Sequence, residues 1–283
     1  MRAILACICF TAISLLVAGN PRALSAGEFQ SDDNTLFLAH YNTSLDADYS
    51  KGSRLYDRWD TAYLTKTGGY FGGGLVCRVG AEALKEAGAN ITTSALMPAR
   101  LFDGVRYAAS DNLDFVRGTF ECWLKPYFSV PRAKDMQDNW PMQYDIFCYT
   151  ETPWRLLLSG INSGADGSNV FFYCIYTQEG NVTVAHAVDW KPGTWHHVAM
   201  TWDTVEGPGS VVLFLDGRKA GSASLAPLQG KMLKAVGVFS IGAPFQRKGG
   251  NNVQFFKADA VVDEVRISNI VRYQSDFLPP GRE

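Results

Sequence analysis

Residues 195–203 read Trp-His-His-Val-Ala-Met-Thr-Trp-Asp, residues 211–219 read Val-Val-Leu-Phe-Leu-Asp-Gly-Arg-Lys, and residues 260–268 read Ala-Val-Val-Asp-Glu-Val-Arg-Ile-Ser. Each contains an apolar run of strand length, rich in β-branched or aromatic side chains. Asp216-Gly217 predicts a tight hairpin turn, because glycine accepts the positive φ that a type I′ turn needs. Further upstream, residues 118–126 read Gly-Thr-Phe-Glu-Cys-Trp-Leu-Lys-Pro and form another core strand.

In that order and spacing these four stretches resemble the laminin-G-like (LamG) modules of the concanavalin A-like lectin/glucanase superfamily. The resemblance covers about residues 35–272. It implies an all-β, two-sheet antiparallel jelly-roll sandwich. The same sandwich carries lectins, adhesion modules and glycosidases, so function has to be argued from a site.

Outward from this centre, turn signals separate a succession of strands: 35–41, 75–79, 104–109, 144–150, 155–161, 170–177, 182–188 and 238–241. Residues 81–87, Ala-Glu-Ala-Leu-Lys-Glu-Ala, are good helix formers stopped by Gly88. They predict one short helix inserted in the sandwich. The cluster Gly68-Gly69-Tyr70-Phe71-Gly72-Gly73-Gly74 lacks the Lys-Ser/Thr of a phosphate loop and predicts close backbone packing or a bend.

Arg2 followed by the uncharged apolar run 3–17, then by small residues between Ala18 and Ala26, has the form of a secretory signal. The chain therefore divides into a signal peptide, residues 1–26, and a single domain, residues 27–283, in a secreted or periplasmic setting. The net charge is -2 with both signs interspersed, and there is no run of five Lys/Arg. Nucleic acid and an anionic membrane surface are not expected partners. Cys77, Cys122, Cys148 and Cys174 remain after signal removal; an even count in a secreted chain favours two disulfides, with buried thiols as the alternative.

Glucanases of this superfamily need paired carboxylates on one sheet face, as in Glu-x-Asp-x-Glu. No glutamate here is followed by aspartate two residues on. Asp145 and Glu151 come nearest, but six residues of strand is roughly 20 Å, too long for a catalytic pair. No catalytic residue is therefore assigned. His196 and His197 are adjacent on a strand and face opposite ways, which fits hydrogen-bonded structural histidines.

Candidate ligand-binding residues lie in and beside the long polar stretch 129–143. Trp140 offers a flat apolar face for a sugar ring, with Asp138 and Asn139 for its hydroxyls, and Trp154 lies near a predicted turn. Strict alternation places Val261, Asp263, Val265 and Ile267 on one face, and a carboxylate in an apolar row needs a partner. Relatives that hold Ca²⁺ where terminal strands meet make calcium the candidate cofactor, with Asp263, Asp46 and Asp48 as ligands. The alternative is a carboxylate satisfied by backbone N–H groups or an arginine. The expected function is a non-catalytic module that recognises glycan or extracellular matrix ligands. A glycan-active hydrolase or lyase and a structural, protein-binding adhesive module remain alternatives.

Overall fold

The computed structural model describes residues 27–54, 56–58, 62–77, 105–127, 142–149, 155–162, 169–176, 181–205, 209–225, 235–242 and 255–281. Every regular element among them is a strand: β1 (Thr35–Ala39), β2 (Tyr49–Ser50), β3 (Tyr56–Arg58), β4 (Tyr63–Thr65), β5 (Gly74–Cys77), β6 (Val105–Ala108), β7 (Arg117–Pro126), β8 (Met142–Tyr149), β9 (Arg155–Asn162), β10 (Asn169–Tyr176), β11 (Asn181–Val188), β12 (His196–Asp203), β13 (Gly209–Leu215), β14 (Arg218–Leu225), β15 (Val238–Ile241), β16 (Phe255–Lys257) and β17 (Ala260–Ser268). The inserted helix expected at 81–87 and the signal at 1–26 fall outside the described residues.

The strands form two sheets. One runs β14-β13-β12-β7-β17-β1-β2, with β5 also on β17 and β4 on β5; the other runs β11-β10-β9-β8-β15-β6-β3, with β16 parallel to β8. The fold is thus the expected all-β, jelly-roll-like sandwich. Alternate residues of each strand meet between the sheets: Phe120, Cys122 and Leu124 of β7, Val198, Met200 and Trp202 of β12, Phe147 and Tyr149 of β8, and Phe239 and Ile241 of β15. The edge strand β14 lies against β11, which draws the two sheets together on that side.

Asp216 and Gly217 have φ of 52° and 76°, the two positive values of a type I′ turn, and join β13 to β14. β14 itself, Arg-Lys-Ala-Gly-Ser-Ala-Ser-Leu, has no apolar alternation to announce it. It pairs with β13 along its length, with a register shift at Ala220.

Two expectations need correction. Cys77, Cys122, Cys148 and Cys174 are all buried thiols, not disulfides. Cys148 and Cys174 flank the same residue, Leu157, on opposite sides of β9. Two strand spacings are about 9.6 Å, beyond the Cα separation a disulfide tolerates. The second correction concerns β17. Between Asp263↔Trp123 and Arg266↔Glu121, β17 carries two intervening residues and β7 only one. The extra residue is a β-bulge, and Glu264 within it has φ 54°. Ala260, Val262, Val265 and Ile267 face the core. Asp263 does not share a row with Val265 and Ile267; it lies on the opposite, outer face.

Candidate functional site

The outer face of the nine-stranded sheet is built in rows that follow from strand register. His197, Trp123 and Asp263 lie abreast on β12, β7 and β17, and Ala199, Glu121 and Arg266 form the next row. On the other side, Lys125, Val261, Val76 and Tyr63 lie abreast on β7, β17, β5 and β4, with Trp195 just before β12 completing the line.

Three segments cover most of this face. Phe29 enters from the N-terminal side and is buried with Leu38 and Trp123. Its N–H donates to Glu264 Oε2 at 2.6 Å, and Arg266 lies over its ring at 4.6 Å. Residues 68–73 bring Tyr70 and Phe71. Residues 270–281 bring Tyr273 and Phe277, whose rings stack at 3.5 Å and meet His197 edge-on.

Beneath the cover lie two charged clusters. Glu121 accepts from Arg266 Nε at 2.8 Å and from the Tyr273 hydroxyl at 2.7 Å, and pairs with His197 Nε2 at 3.2 Å. Burial opposes ionisation of Glu121, but the Arg266 charge and the bonds from His197 and Tyr273 outweigh it and bring its pKa down to about 2. In the second cluster Glu264 pairs with His40 Nδ1 at 2.8 Å. Burial raises the Glu264 pKa despite that bond. For His40, burial works against the charge, and the Glu264 carboxylate more than offsets it, so its pKa is raised.

Asp263 is fully buried. Its Oδ2 accepts the N–H of Tyr70 at 2.7 Å and of Phe71 at 2.9 Å, and its Oδ1 accepts that of Glu264 at 2.9 Å. Burial dominates and pushes its pKa up to about 8, against the pull of these three donors. Asp48 is exposed and accepts the His40 N–H at 2.8 Å. Asp46 is half-buried, with its own N–H on Ser44 Oγ. Among the described residues no group of three His, Cys, Asp or Glu gathers as a metal ligand set. The structure thus does not assemble Asp263, Asp46 and Asp48 into one. Trp140, Asp138, Asn139 and Trp154 lie outside the described residues.

His196 and His197 do face opposite ways. His196 stacks on Trp190 at 3.9 Å and pairs with Asp216 Oδ2 at 2.7 Å. His197 lies in the Glu121 cluster.

Where the cover thins, aromatic and cationic groups reach solvent. Trp195, Lys125, Tyr70 and Phe71 are half-buried, and Tyr63 is 58% exposed. Lys125 Nζ sits 4.8 Å over the Trp195 ring and donates to Gly68 O at 3.1 Å. Trp195 and Tyr70 meet edge to face at 5.7 Å. The five strands from β12 to β4 set a line of about 19 Å. None of these residues stood out as ligand-binding in the sequence. The available signal was the alternation Glu121, Trp123, Lys125, which puts all three on one face opposite Phe120, Cys122 and Leu124.

Residues 102–276 match a laminin G family model described as the concanavalin A-like lectin/glucanases superfamily. The chain belongs to this superfamily. No curated protein matches it. Among solved structures it is similar to the botulinum neurotoxin serotype G binding domain (8% identity, 85% of this chain and 49% of that one, TM-score 0.55). It is also similar to domains LG4-5 of the mouse laminin α1 chain (13% identity, 58% and 39%, TM-score 0.41) and to alginate lyase Aly36B (11% identity, 85% and 99%, TM-score 0.49). The chain spans less than half the length of the laminin and neurotoxin chains. At such identities the likeness is one of fold. Concanavalin A-like members include binding modules and enzymes, so the distinction rests on this chain's own residues.

Proposed function

We propose that the protein is a non-catalytic recognition module for glycans, acting outside the cytoplasm. One observation carries the reading: half-buried Trp195, with Lys125 over its ring and Tyr70 at its edge, lies in line with exposed Tyr63 on one face of the sheet. Aromatic rings offer flat apolar surface to the C–H face of a sugar, and their polar tips and Lys125 offer hydrogen bonds. Val261 and Val76, between Lys125 and Tyr63 in the row, are buried. A ligand therefore meets the row at its ends, at Trp195 with Lys125 and at Tyr63. These ends lie about 19 Å apart, a span that suits an oligosaccharide better than a single ring. The secretory form of residues 1–26 supports the location. The buried carboxylates Glu121, Asp263 and Glu264 are taken up by protein donors and shielded from solvent, which keeps them from a glycosidic oxygen.

The test is a glycan array probed with the wild type and with Trp195→Ala. Saturable binding that drops about tenfold or more in the variant, or about 1.4 kcal/mol, supports the reading. Unchanged glycan binding by a folded Trp195→Ala protein would overturn this site. Polysaccharide cleavage by the wild type would favour the enzyme alternative.

A further inference from the structure

Trp123 is the largest side chain of the covered face and is 1% exposed. Two observations set it apart. Its Nε1 is buried without a hydrogen-bond partner among the described residues, although a buried indole N–H normally finds one. Its ring also carries Tyr70 in a parallel stack, with centroids 3.7 Å apart and planes 8° apart. That is the face-on arrangement in which an indole receives a flat ring, a sugar included.

Tyr70 arrives on a short segment with glycines on both sides, Gly68-Gly69 before and Gly72-Gly73-Gly74 after. Gly72 has φ +84°, and glycine lets such a segment take up a second backbone path without a Cβ penalty. Under the ring the segment is held by Asp263, since Tyr70 N and Phe71 N both donate to its Oδ2, and its far end is tied by Asn42, whose Oδ1 accepts the Gly73 N–H at 2.8 Å. Lys125 of the ligand row ties its near end through Gly68 O. A group that draws Lys125 to itself releases the near end, while Asp263 and Asn42 keep the far end anchored as a hinge.

We propose that Tyr70 is a removable cover that stands in for a sugar ring on Trp123, and that glycan binding lifts it to open an inner subsite continuous with Trp195 and Lys125. The inner subsite takes a neutral sugar ring: its stacking face is Trp123, and the unpartnered Nε1–H finds a hydroxyl to accept it. This rests on the glycan reading above and adds regulation to it, because a ligand that must displace Tyr70 binds more weakly by the fraction of time the cover is open.

The experiment uses calorimetry with six hexasaccharides (laminari-, cello-, xylo-, manno-, chito- and alginate hexaose) on the wild type, Tyr70→Ala, and Tyr70→Ala with Trp123→Phe. Amide exchange of residues 70 and 71 is followed in the wild type at saturation. Tyr70→Ala should bind at least one of the six about tenfold tighter, and Trp123→Phe should remove that gain. In the wild type the Tyr70 and Phe71 amides should lose protection when the sugar binds. If the wild type binds but Tyr70→Ala binds no tighter, or the two amides keep their protection, the cover is wrong and the outer row stands alone. If none of the six binds either protein, the glycan reading falls and the cover with it.

Discussion

Arg266 Nη2 lies 2.7 Å from Glu121 Oε1, an ion pair that exists because of the bulge at Glu264. Without the extra residue, Arg266 would point between the sheets and Val265 would point out. The bulge costs a non-glycine residue at positive φ, of order 1–3 kcal/mol. In exchange it turns three polar side chains, Asp263, Glu264 and Arg266, onto one face, where Asp263 holds residues 70 and 71 and the other two hold Phe29 and Gln30.

Glu121→Gln should destabilise the fold by about 3–5 kcal/mol, because it leaves the Arg266 guanidinium buried without its counter-charge. Replacing both partners with methionine should cost less than the single change. Urea unfolding of the three proteins checks this; a Glu121→Gln loss below about 1 kcal/mol would mean that water reaches the cluster.

Asp263 makes stability depend on pH in an unusual sense for a carboxylate. Its folded pKa is raised to about 8, so the folded state takes up a proton that the unfolded chain releases above about pH 4. Its contribution is full below pH 4, declines between about pH 4 and 8 by up to ~1.4 kcal/mol per unit, and is gone above. Glu264 and His40, both also raised, act in the same direction. Asp263→Asn should flatten that slope while costing about 1–3 kcal/mol, since the amide cannot accept all three N–H groups. A midpoint that climbs steadily from pH 4 to 8 would contradict this.

Calcium is tested on the same protein. With the Asp263 oxygens already accepting backbone donors, excess chelator should leave the wild-type thermal midpoint unchanged. A fall on chelation would put a stabilising cation back at Asp263, Asp46 or Asp48, by the mass-action link between binding and stability.

Gly217→Val should be severe. A Cβ there would stand 2.1 Å from Phe277 O and 2.7 Å from the Pro279 ring. The substitution would strain the turn and push away the C-terminal segment that covers His197. A loss above ~2 kcal/mol is expected, together with faster exchange of the Phe277 amide, which donates to Gly217 O. A normal midpoint would show that the turn and the segment are independent.

The four buried cysteines should react with a thiol reagent only on unfolding, and reductant should not shift the midpoint. Burial raises the Cys122 pKa far above that of a free thiol, so little reactive thiolate forms in the folded state. A reductant-sensitive midpoint would restore the disulfide reading.

Strands with an alternating or wholly apolar pattern, such as β1, β12, β13 and β17, were legible in the sequence because a buried face writes itself at period two. β14 was not, since apart from Leu225 at its end its residues are small or charged and its inward positions are only alanines. The Asp216-Gly217 turn was legible from local chemistry alone. The bulge at Glu264 was not: nothing in Val-Val-Asp-Glu-Val-Arg-Ile marks where one residue drops out of register, and the strict alternation drawn through it put Asp263 on the wrong face. The aromatic row at Trp195 was hidden for another reason. Trp123 and Trp195 both sit in or beside apolar strands, and what separates them is cover supplied by residues 29, 70, 273 and 277, far away along the chain.

β17 runs through the middle of the nine-stranded sheet, between β7 on one side and β1 and β5 on the other. It is also the last of the described strands to leave the ribosome. Until it emerges, β7 and β1 each present an open edge with unpaired amides and carbonyls, and the halves of that sheet have nothing to join them. Folding of this sheet therefore waits until residues 260–268 have been made. A chain from which β17 has yet to emerge exposes the β7, β1 and β5 edges, a stage at which a chaperone protects it most.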